Sequence, residues 1–168
     1  MSNGTTLSCG LFVAALAGAF LAAGCASVRP VDAQASDPEA RAQIERRLQE
    51  VFRAAESKDF ARLESYHLYG PKFTRFSGAS AARQDAAATR QIEHDGLAPL
   101  QGLKMREEEL KIDVFGPVGI ATFILDARFD FRGAADHRRD RTTLVFVNER
   151  GEWKIAHEHS SPIPLTKP

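Results

Sequence analysis

The stretch that most constrains the fold is the ten-residue segment from Glu152 to Ser161, which reads E-W-K-I-A-H-E-H-S-S. Side chains alternate between the two faces of a β-strand. Strict alternation places four of them on one face: Trp153, Ile155, His157 and His159. That face is apolar at one end and titratable at the other, which suits the wall of a half-polar cavity. We therefore predict a closing strand whose indole and imidazoles line a hollow.

The chain before this segment reads as a meander of antiparallel strands. Residues 120–131 alternate an apolar set on the odd positions with a more polar set on the even positions, and the Gly-containing turns at residues 116–117 and 148–151 reverse the chain. The apolar parity changes across residues 106–109, which predicts a bulge. Residues 144–147 are apolar on both faces, so we expect helices to cover one face of the sheet and a second subunit to cover the other.

The N-terminal half has helical periodicity. Ser36 and Glu39 form a capping-box pattern, and apolar residues then recur at helical spacing from Ala40 to Ala55. We expect a second helix after Asp59, a short strand over residues 73–76, and a third helix from Ser80 to about His94, with Gly96 as its stop. The sequence therefore predicts one α+β domain.

The first residues have a different composition. From Met1 to Val28 there is no charged side chain, and the apolar run from Leu11 to Ala23 has the length of a signal-peptide core but is short for a membrane span. The residues Leu21 to Cys25, L-A-A-G-C, resemble the lipobox of bacterial lipoproteins, in which the Cys is lipidated and becomes the first mature residue. This resemblance implies a lipid anchor at Cys25 and no spanning helix.

These features divide the chain into a signal peptide over residues 1–24, a tether over residues 25–36 and one domain over residues 37–168. Ala26 follows the Cys, so the resemblance implies a periplasmic protein anchored to the outer membrane. The alternative is ordinary cleavage after Ala35, which would leave no lipid. The 22 basic and 22 acidic residues balance, so we expect no nucleic-acid partner.

The order of elements, together with four stretches, resembles a SnoaL-like domain of the nuclear transport factor 2 superfamily; the stretches are Tyr66–Phe76, Val114–Gly116, Thr143–Val147 and Trp153–Ser161. The resemblance implies a cone-shaped, strongly curved, mostly antiparallel sheet wrapped around N-terminal helices, commonly a homodimer. Because the same cone houses isomerases, polyketide cyclases, dehydratases and oligomerisation domains, the fold does not fix the function.

The candidate catalytic residues are His157, as a general base, and Tyr66 or His67, as a donor to a developing oxyanion. Each also has a structural interpretation, as a hydrogen-bonded imidazole or an aromatic plug. The candidate pocket residues are Tyr66, His67, Tyr69, Phe73, Phe76, Phe123, Trp153, His157 and His159.

Other chemistries have weaker support. His157 and His159 could share an ion, but the expected further carboxylate does not follow, so we expect no metal and no cofactor. Asp126, Arg128 and Asp130 share one strand face, and we interpret them as a surface or interface salt-bridge ladder, because the alternating Phe and Leu residues better fit the inner face.

The sequence thus favours an exported binder of a small apolar molecule. The alternatives are a cofactor-independent lyase or isomerase with a pocket His as base, and a dimerisation or interaction module.

Overall fold

The computed structural model describes Met1, residues 31–78 and residues 80–164. Residues 2–30, which hold the rest of the predicted signal peptide and the predicted lipidation site Cys25, lie outside these described residues. Within them, no helix is both long and apolar enough to cross a membrane.

In the part of the chain that the structure describes, three helices precede most of the sheet. They are α1 (Pro38–Ser57), α2 (Phe60–Ser65) and α3 (Ala86–Leu97). Asp37 caps α1 by accepting a hydrogen bond from the Ala40 amide at 2.9 Å, so the predicted cap at Ser36 is wrong by one residue. Pro38 explains the shift, because its fixed φ and missing N–H suit the first helical position.

Helix α3 also differs from its predicted bounds. The Arg75 and Gln84 backbones exchange two hydrogen bonds of 2.9 Å, which hold the chain before α3 in an extended conformation. The helix therefore begins only after its cap, Asp85, and not at Ser80. It continues through Gly96, which was expected to stop it.

The strands form one curved, open, five-stranded sheet. They are β1 (Thr74–Ser77), β2 (Gln101–Phe115), β3 (Val118–Phe131), β4 (Ala134–Glu149) and β5 (Glu152–Pro162). Their order is β1-β5-β4-β3-β2, with β1 parallel to β5 and the other pairs antiparallel. The predicted α+β architecture is thereby confirmed.

Of the three register shifts in the described sheet, two bear on the sequence predictions. The register of β2 on β3 shifts between Glu108 and Lys111, where Glu109 has a φ of 56°, and this agrees with the parity change seen in the sequence. A second bulge lies in β5: Val145 pairs with His157, whereas Phe146 pairs with Ile155. Ala156 is the extra residue, so the expected strict alternation along β5 is wrong beyond Ile155.

The inner face of the sheet packs against α1. Ile44, Leu48 and Phe52 of that helix share one core with Phe146, Trp153 and Ile155 of the sheet. The indole of Trp153 is buried, and its Nε1 donates to Gln43 Oε1 at 2.9 Å. The start of β5 therefore faces inward, towards the helices.

Candidate functional site

A cavity of about 710 Å³ lies between the helices and the inner face of the sheet. This volume is within the range of small-molecule sites, about 300–1,000 Å³. Much of the wall is apolar, with contributions that include Val51, Phe52, Leu97, Met105, Phe123 and Leu125. The cavity can therefore hold a small molecule with a substantial apolar part.

One wall of the cavity carries four ionisable side chains, which we call the polar cluster: His67, Arg75, Glu93 and Glu158. His67 Nε2 lies 2.6 Å from Glu158 Oε1 and 3.8 Å from Glu93 Oε1. Arg75 lies between the two carboxylates, with Nε 3.4 Å from Glu158 Oε2 and Nη1 3.5 Å from Glu93 Oε1.

Each member of the polar cluster comes from a different element. Arg75 and Glu158 are paired in register on the parallel strands β1 and β5, so they lie side by side. The bulge at Ala156 returns Glu158 to the inner face that carries Ile155. Glu93 lies on α3, and His67 follows α2, where its flanking backbone hydrogen-bonds to Ile155 at 2.7 and 2.9 Å.

The geometry indicates that His67 is protonated on both ring nitrogens. Nδ1 lies 2.9 Å from the Leu63 carbonyl, which can only accept, so Nδ1 carries a proton. The 2.6 Å contact between Nε2 and the Glu158 carboxylate needs one proton between the two atoms, and the raised pKa of His67 together with the lowered pKa of Glu158 favours its place on Nε2. Burial alone would lower the pKa of His67, but the hydrogen bond and charge of Glu158 outweigh it and raise that pKa. Burial would raise the pKa of Glu158, and the same pairing with His67 instead lowers it.

Glu93 has the opposite character. Burial and then the charge of Glu158 raise its pKa to about 7, although His67, Arg75 and Tyr69 oppose that shift. The Tyr69 hydroxyl donates to Glu93 Oε2 at 3.0 Å. Burial and the neighbouring carboxylates raise the pKa of Tyr69, so its hydroxyl remains a donor at neutral pH. Glu93 can therefore exchange a proton near neutral pH.

Aromatic rings enclose this part of the cluster. Tyr69 stacks on the His67 ring with centroids 4.7 Å apart and planes 9° apart, and Phe73 meets Tyr69 edge-on at 4.7 Å. The guanidinium of Arg90 lies 4.4 Å from the Tyr69 centroid on the ring face. This packing fixes His67 and the Tyr69 hydroxyl in place.

The donor atoms of His67, Glu93 and Glu158 lie within 4.8 Å of one another, so within the described residues these three have the spacing of possible metal ligands. Arg75, however, contacts both carboxylates. Its guanidinium already supplies the positive charge that a metal ion would bring to the two carboxylates.

The pocket residues predicted from the sequence fall into two groups in the structure. His67, Phe123 and His159 line the cavity, with His159 exposed. The remaining six are absent from the cavity wall: Tyr66, Tyr69, Phe73, Phe76, Trp153 and His157. Of these, Phe73 and Trp153 belong to the main core, and Tyr66 is buried in a smaller cluster with Ala54 and Leu63.

His157 is not brought together with His67. Its Nδ1 lies 2.8 Å from Thr74 Oγ1, and its ring meets the exposed ring of Phe76 at 6.4 Å. The bulge at Ala156 causes this, because it places Glu158, and not His157, on the inner face. The expected convergence of His157, Tyr66 and His67 is therefore not found.

Sequence reasoning missed Arg75, Glu93 and Glu158. Alternation assigned Glu158 to the outer face, and Arg75 lay within a short apolar strand. Glu93 lay on an Ala-rich helix with no sign of which face was inward. The one available signal was that Glu158 lies directly between two imidazoles, His157 and His159. A one-residue bulge before these residues would turn Glu158 inward in place of His157.

The charged residues on the outer face form a network. Asp126 alternates with Leu125 and Ala127, which line the cavity, so it points away from it. Its buried carboxylate contacts His137 Nε2 at 2.7 Å, with Arg106 and Arg128 at 3.5 and 3.4 Å. Burial opposes ionisation, but the hydrogen bond and charge of His137 and the arginine charges lower the pKa of Asp126. The geometry is that of a salt-bridge network around Asp126, and His137 also contributes to the cavity wall.

The chain resembles known proteins most clearly at the level of fold. The model of the SnoaL-like domain family matches residues 44–166. No curated protein matches the chain.

Three solved structures illustrate the similarity. A proposed dehydratase of the nuclear transport factor 2-like family from Streptomyces avermitilis is 16% identical, with a TM-score of 0.66 over 74% of this chain and 97% of that one. A nuclear transport factor 2-like superfamily protein from Salmonella enterica serovar Typhimurium is 14% identical, with a TM-score of 0.66 over 76% and 93%. The CamKII hub homology domain of Chlamydamonas reinhardtii is 17% identical, with a TM-score of 0.64 over 74% and 98%.

These identities support a shared fold, and the family model covers most of the chain. The chain belongs to the SnoaL-like domain family, within the nuclear transport factor 2-like fold.

Proposed function

We propose that this protein binds a small, largely apolar molecule in its cavity, with one polar group of that molecule directed at the polar cluster. The observation that carries this proposal is the combination of a cavity of about 710 Å³, a largely apolar wall and the convergence of the polar cluster, which includes His67 and Arg75, on one side of it. Sites of this composition are the usual binding sites of small molecules.

The test uses octan-1-ol as a neutral amphiphilic probe, titrated into the purified domain by calorimetry. Leu125→Trp places a large ring in the cavity, whereas Thr122→Trp places the same ring on the exposed outer face of the same strand. We expect binding to wild type and to Thr122→Trp, and a loss of at least tenfold in affinity with Leu125→Trp. Equal binding by the two Trp variants would contradict a site in the cavity.

A second candidate is a cofactor-independent lyase or isomerase. The specific observation in its favour is Glu93, which lines the cavity beside the Tyr69 hydroxyl and whose pKa of about 7 suits a general base. The dehydratase assignment of the Streptomyces avermitilis neighbour is consistent with such chemistry.

This candidate is tested with octan-2-one in D₂O, by following deuterium incorporation next to the carbonyl with NMR. We expect wild type and the control Glu64→Gln, which alters an exposed carboxylate, to accelerate exchange, and Glu93→Gln to lose the acceleration. If wild type is no faster than Glu93→Gln, the candidate fails and the binding proposal stands.

We further propose that the protein is exported and lipid-anchored through Cys25, in the periplasm at the outer membrane, and that it forms a homodimer. The lipobox-like residues 21–25 support the anchor, and the hub domain among the structural neighbours supports self-association. Mass spectrometry of the mature N-terminus tests the anchor: a diacylated Cys25 is expected, and an unmodified start at Ser36 would contradict it.

A further inference from the structure

We propose that the cavity selects an amphiphilic monoanion such as a medium-chain carboxylate, and that Glu93 leaves Arg75 and takes up a proton from solvent when the anionic head binds. This inference rests on the proposed binding function and adds the charge of the ligand to it.

The first argument is the charge of the polar cluster. It contains two cations, the guanidinium of Arg75 and the doubly protonated ring of His67, which face two carboxylates. The cluster is neutral only when Glu158 and Glu93 are both ionised. Once Glu93 is protonated, one positive charge remains beside an apolar cavity, and an anionic head group would neutralise it.

The second argument is that the two carboxylates are held unequally. Glu158 makes a 2.6 Å contact with His67 and also contacts Arg75. Glu93 reaches the same two cations only at 3.8 and 3.5 Å. Consistent with this, pairing lowers the pKa of Glu158, whereas burial raises that of Glu93 to about 7. Glu93 is therefore the carboxylate that an incoming anion can replace.

The third argument is an unused donor. Arg75 Nε is buried, and its proximity to Glu158 does not amount to a hydrogen bond. Its Nη1 reaches Glu93 only at 3.5 Å. A ligand carboxylate could accept from this guanidinium at a normal distance of about 2.7–2.9 Å for a charge-assisted bond.

The charged and titratable groups that face Glu93 come from several neighbouring elements. His67 and Tyr69 face it from the segment after α2, Arg75 from β1 and Glu158 from β5. On its own helix, Arg90 stacks on Tyr69 and pairs with Glu64.

The Arg138–Asp140 pair on β4 also lines the cavity. Asp140 lies four residues from Leu144, the partner of Glu158, and so about 13 Å along the strand. That pair is therefore remote from Glu93.

The experiment is calorimetric titration of the purified domain with octanoate at pH 6 and pH 8, each in two buffers of different ionisation enthalpy. The probe is ionised at both, because ordinary carboxyl groups titrate near about pH 4. With a Glu93 pKa of about 7, the protonated fraction falls about tenfold between the two pH values, and the affinity should fall by the same factor. Binding at pH 8 should take up about 0.9 proton.

Glu93→Gln imitates the protonated side chain, so we expect it to bind octanoate at pH 8 about tenfold tighter than wild type and without proton uptake. The matched control Glu64→Gln removes an exposed carboxylate of an ion pair and should behave as wild type. Arg75→Gln should lose octanoate binding and retain binding of octan-1-ol.

Three results would overturn the inference while leaving the binding function intact. They are binding of octan-1-ol without octanoate, tighter binding of octylamine than of octanoate, and octanoate affinity that does not change from pH 6 to pH 8. If no probe binds at all, the proposed function fails together with the inference.

Discussion

At the scale of single residues, Glu93 is a buried carboxyl group whose raised pKa lies near neutral pH. Its partner Glu158 keeps its charge because it is paired with His67 at 2.6 Å, so the repulsion between two buried carboxylates falls on Glu93. In the folded protein, the pKa of Glu93 is raised from 4.5 to about 7. The folded state therefore binds this proton more tightly than the unfolded state does.

This difference predicts the effect of Glu93→Gln on stability. A raised folded pKa gives stability that is complete below pH 4.5 and is lost as the pH rises through about 7. Ionised Glu93 should thus cost up to about 3 kcal/mol above pH 7, since each pKa unit is worth about 1.36 kcal/mol. We expect Glu93→Gln to be more stable than wild type at pH 8 and the difference to vanish near pH 4.5, by urea denaturation.

The control for that measurement is Glu64→Gln, whose carboxylate is exposed, and which should change the unfolding free energy by less than about 0.5 kcal/mol. A Glu93→Gln protein less stable than wild type at pH 8 would show that the ionised carboxylate stabilises the fold.

The residue scale also shows how far the sequence predicts the site. The indole of Trp153 and the imidazole of His67 could be singled out from residue type and strand or loop position, and His67 does line the cavity. Ala156 could not be recognised as a bulge, because an Ala in an alternating strand carries no mark of the register on its neighbour β4. Because of that one residue, Glu158 and not His157 lies at the cavity wall. This assignment therefore required the register between β4 and β5 in the structure.

At the scale of elements, the close approach of α1 to β3 positions the cavity. A Cβ atom at Gly119 would clash with Ile44 Cδ1 and would lie 3.6 Å from Trp153 Cζ3. Ile44 is completely buried and cannot turn its side chain into solvent. The helix therefore lies against the strand at this point only because residue 119 has no side chain.

We expect Gly119→Ala to destabilise the protein by about 1–3 kcal/mol, the usual cost of forcing an extra methyl group into a packed core. Ile44→Val removes the clashing Cδ1 and alone should cost about 0.5–1.5 kcal/mol. The double variant should lose less unfolding free energy than the sum of the losses in the two single variants. A double-mutant cycle from urea denaturation measures this difference. If the two losses are strictly additive, Ile44 Cδ1 is not the atom that clashes with the added methyl group.

The sequence predicts the existence of most helices and strands better than it predicts the residues at which they begin and end. Apolar spacing predicted α1, β2, β3, β5 and the apolar part of β4 around residues 144–147, because burial of one face sets the period of the apolar residues. The charged first half of β4 has no such spacing and was not predicted as a strand. The start of α3 was not predictable, because a pairing of Arg75 with Gln84 across the chain, and not local capping preference, holds the preceding residues extended. Long-range hydrogen bonds of this kind leave no local pattern.

At the scale of the whole molecule, the outer face of the sheet is the face opposite α1 and the cavity. On this face, two cross-strand pairs of aliphatic side chains join β3 and β4: Ile120 with Val145, and Val118 with Val147. All four side chains are partly exposed. The Asp126 network lies further along the same face, and Phe76 and His157 lie at its other edge. We call the four aliphatic residues the outer apolar strip.

A second copy of the chain would bury the outer apolar strip, and the proposed homodimer is tested there. We expect the purified domain to be dimeric by light scattering and Val145→Lys to be monomeric, because the change places a charge at the centre of the strip. The control is Ala87→Lys on the exposed surface of α3, which should remain dimeric. Since Val145 points away from the cavity, Val145→Lys should still bind octan-1-ol. A wild-type domain that stays monomeric at every concentration would exclude the dimer and leave the cavity as the functional feature of the fold.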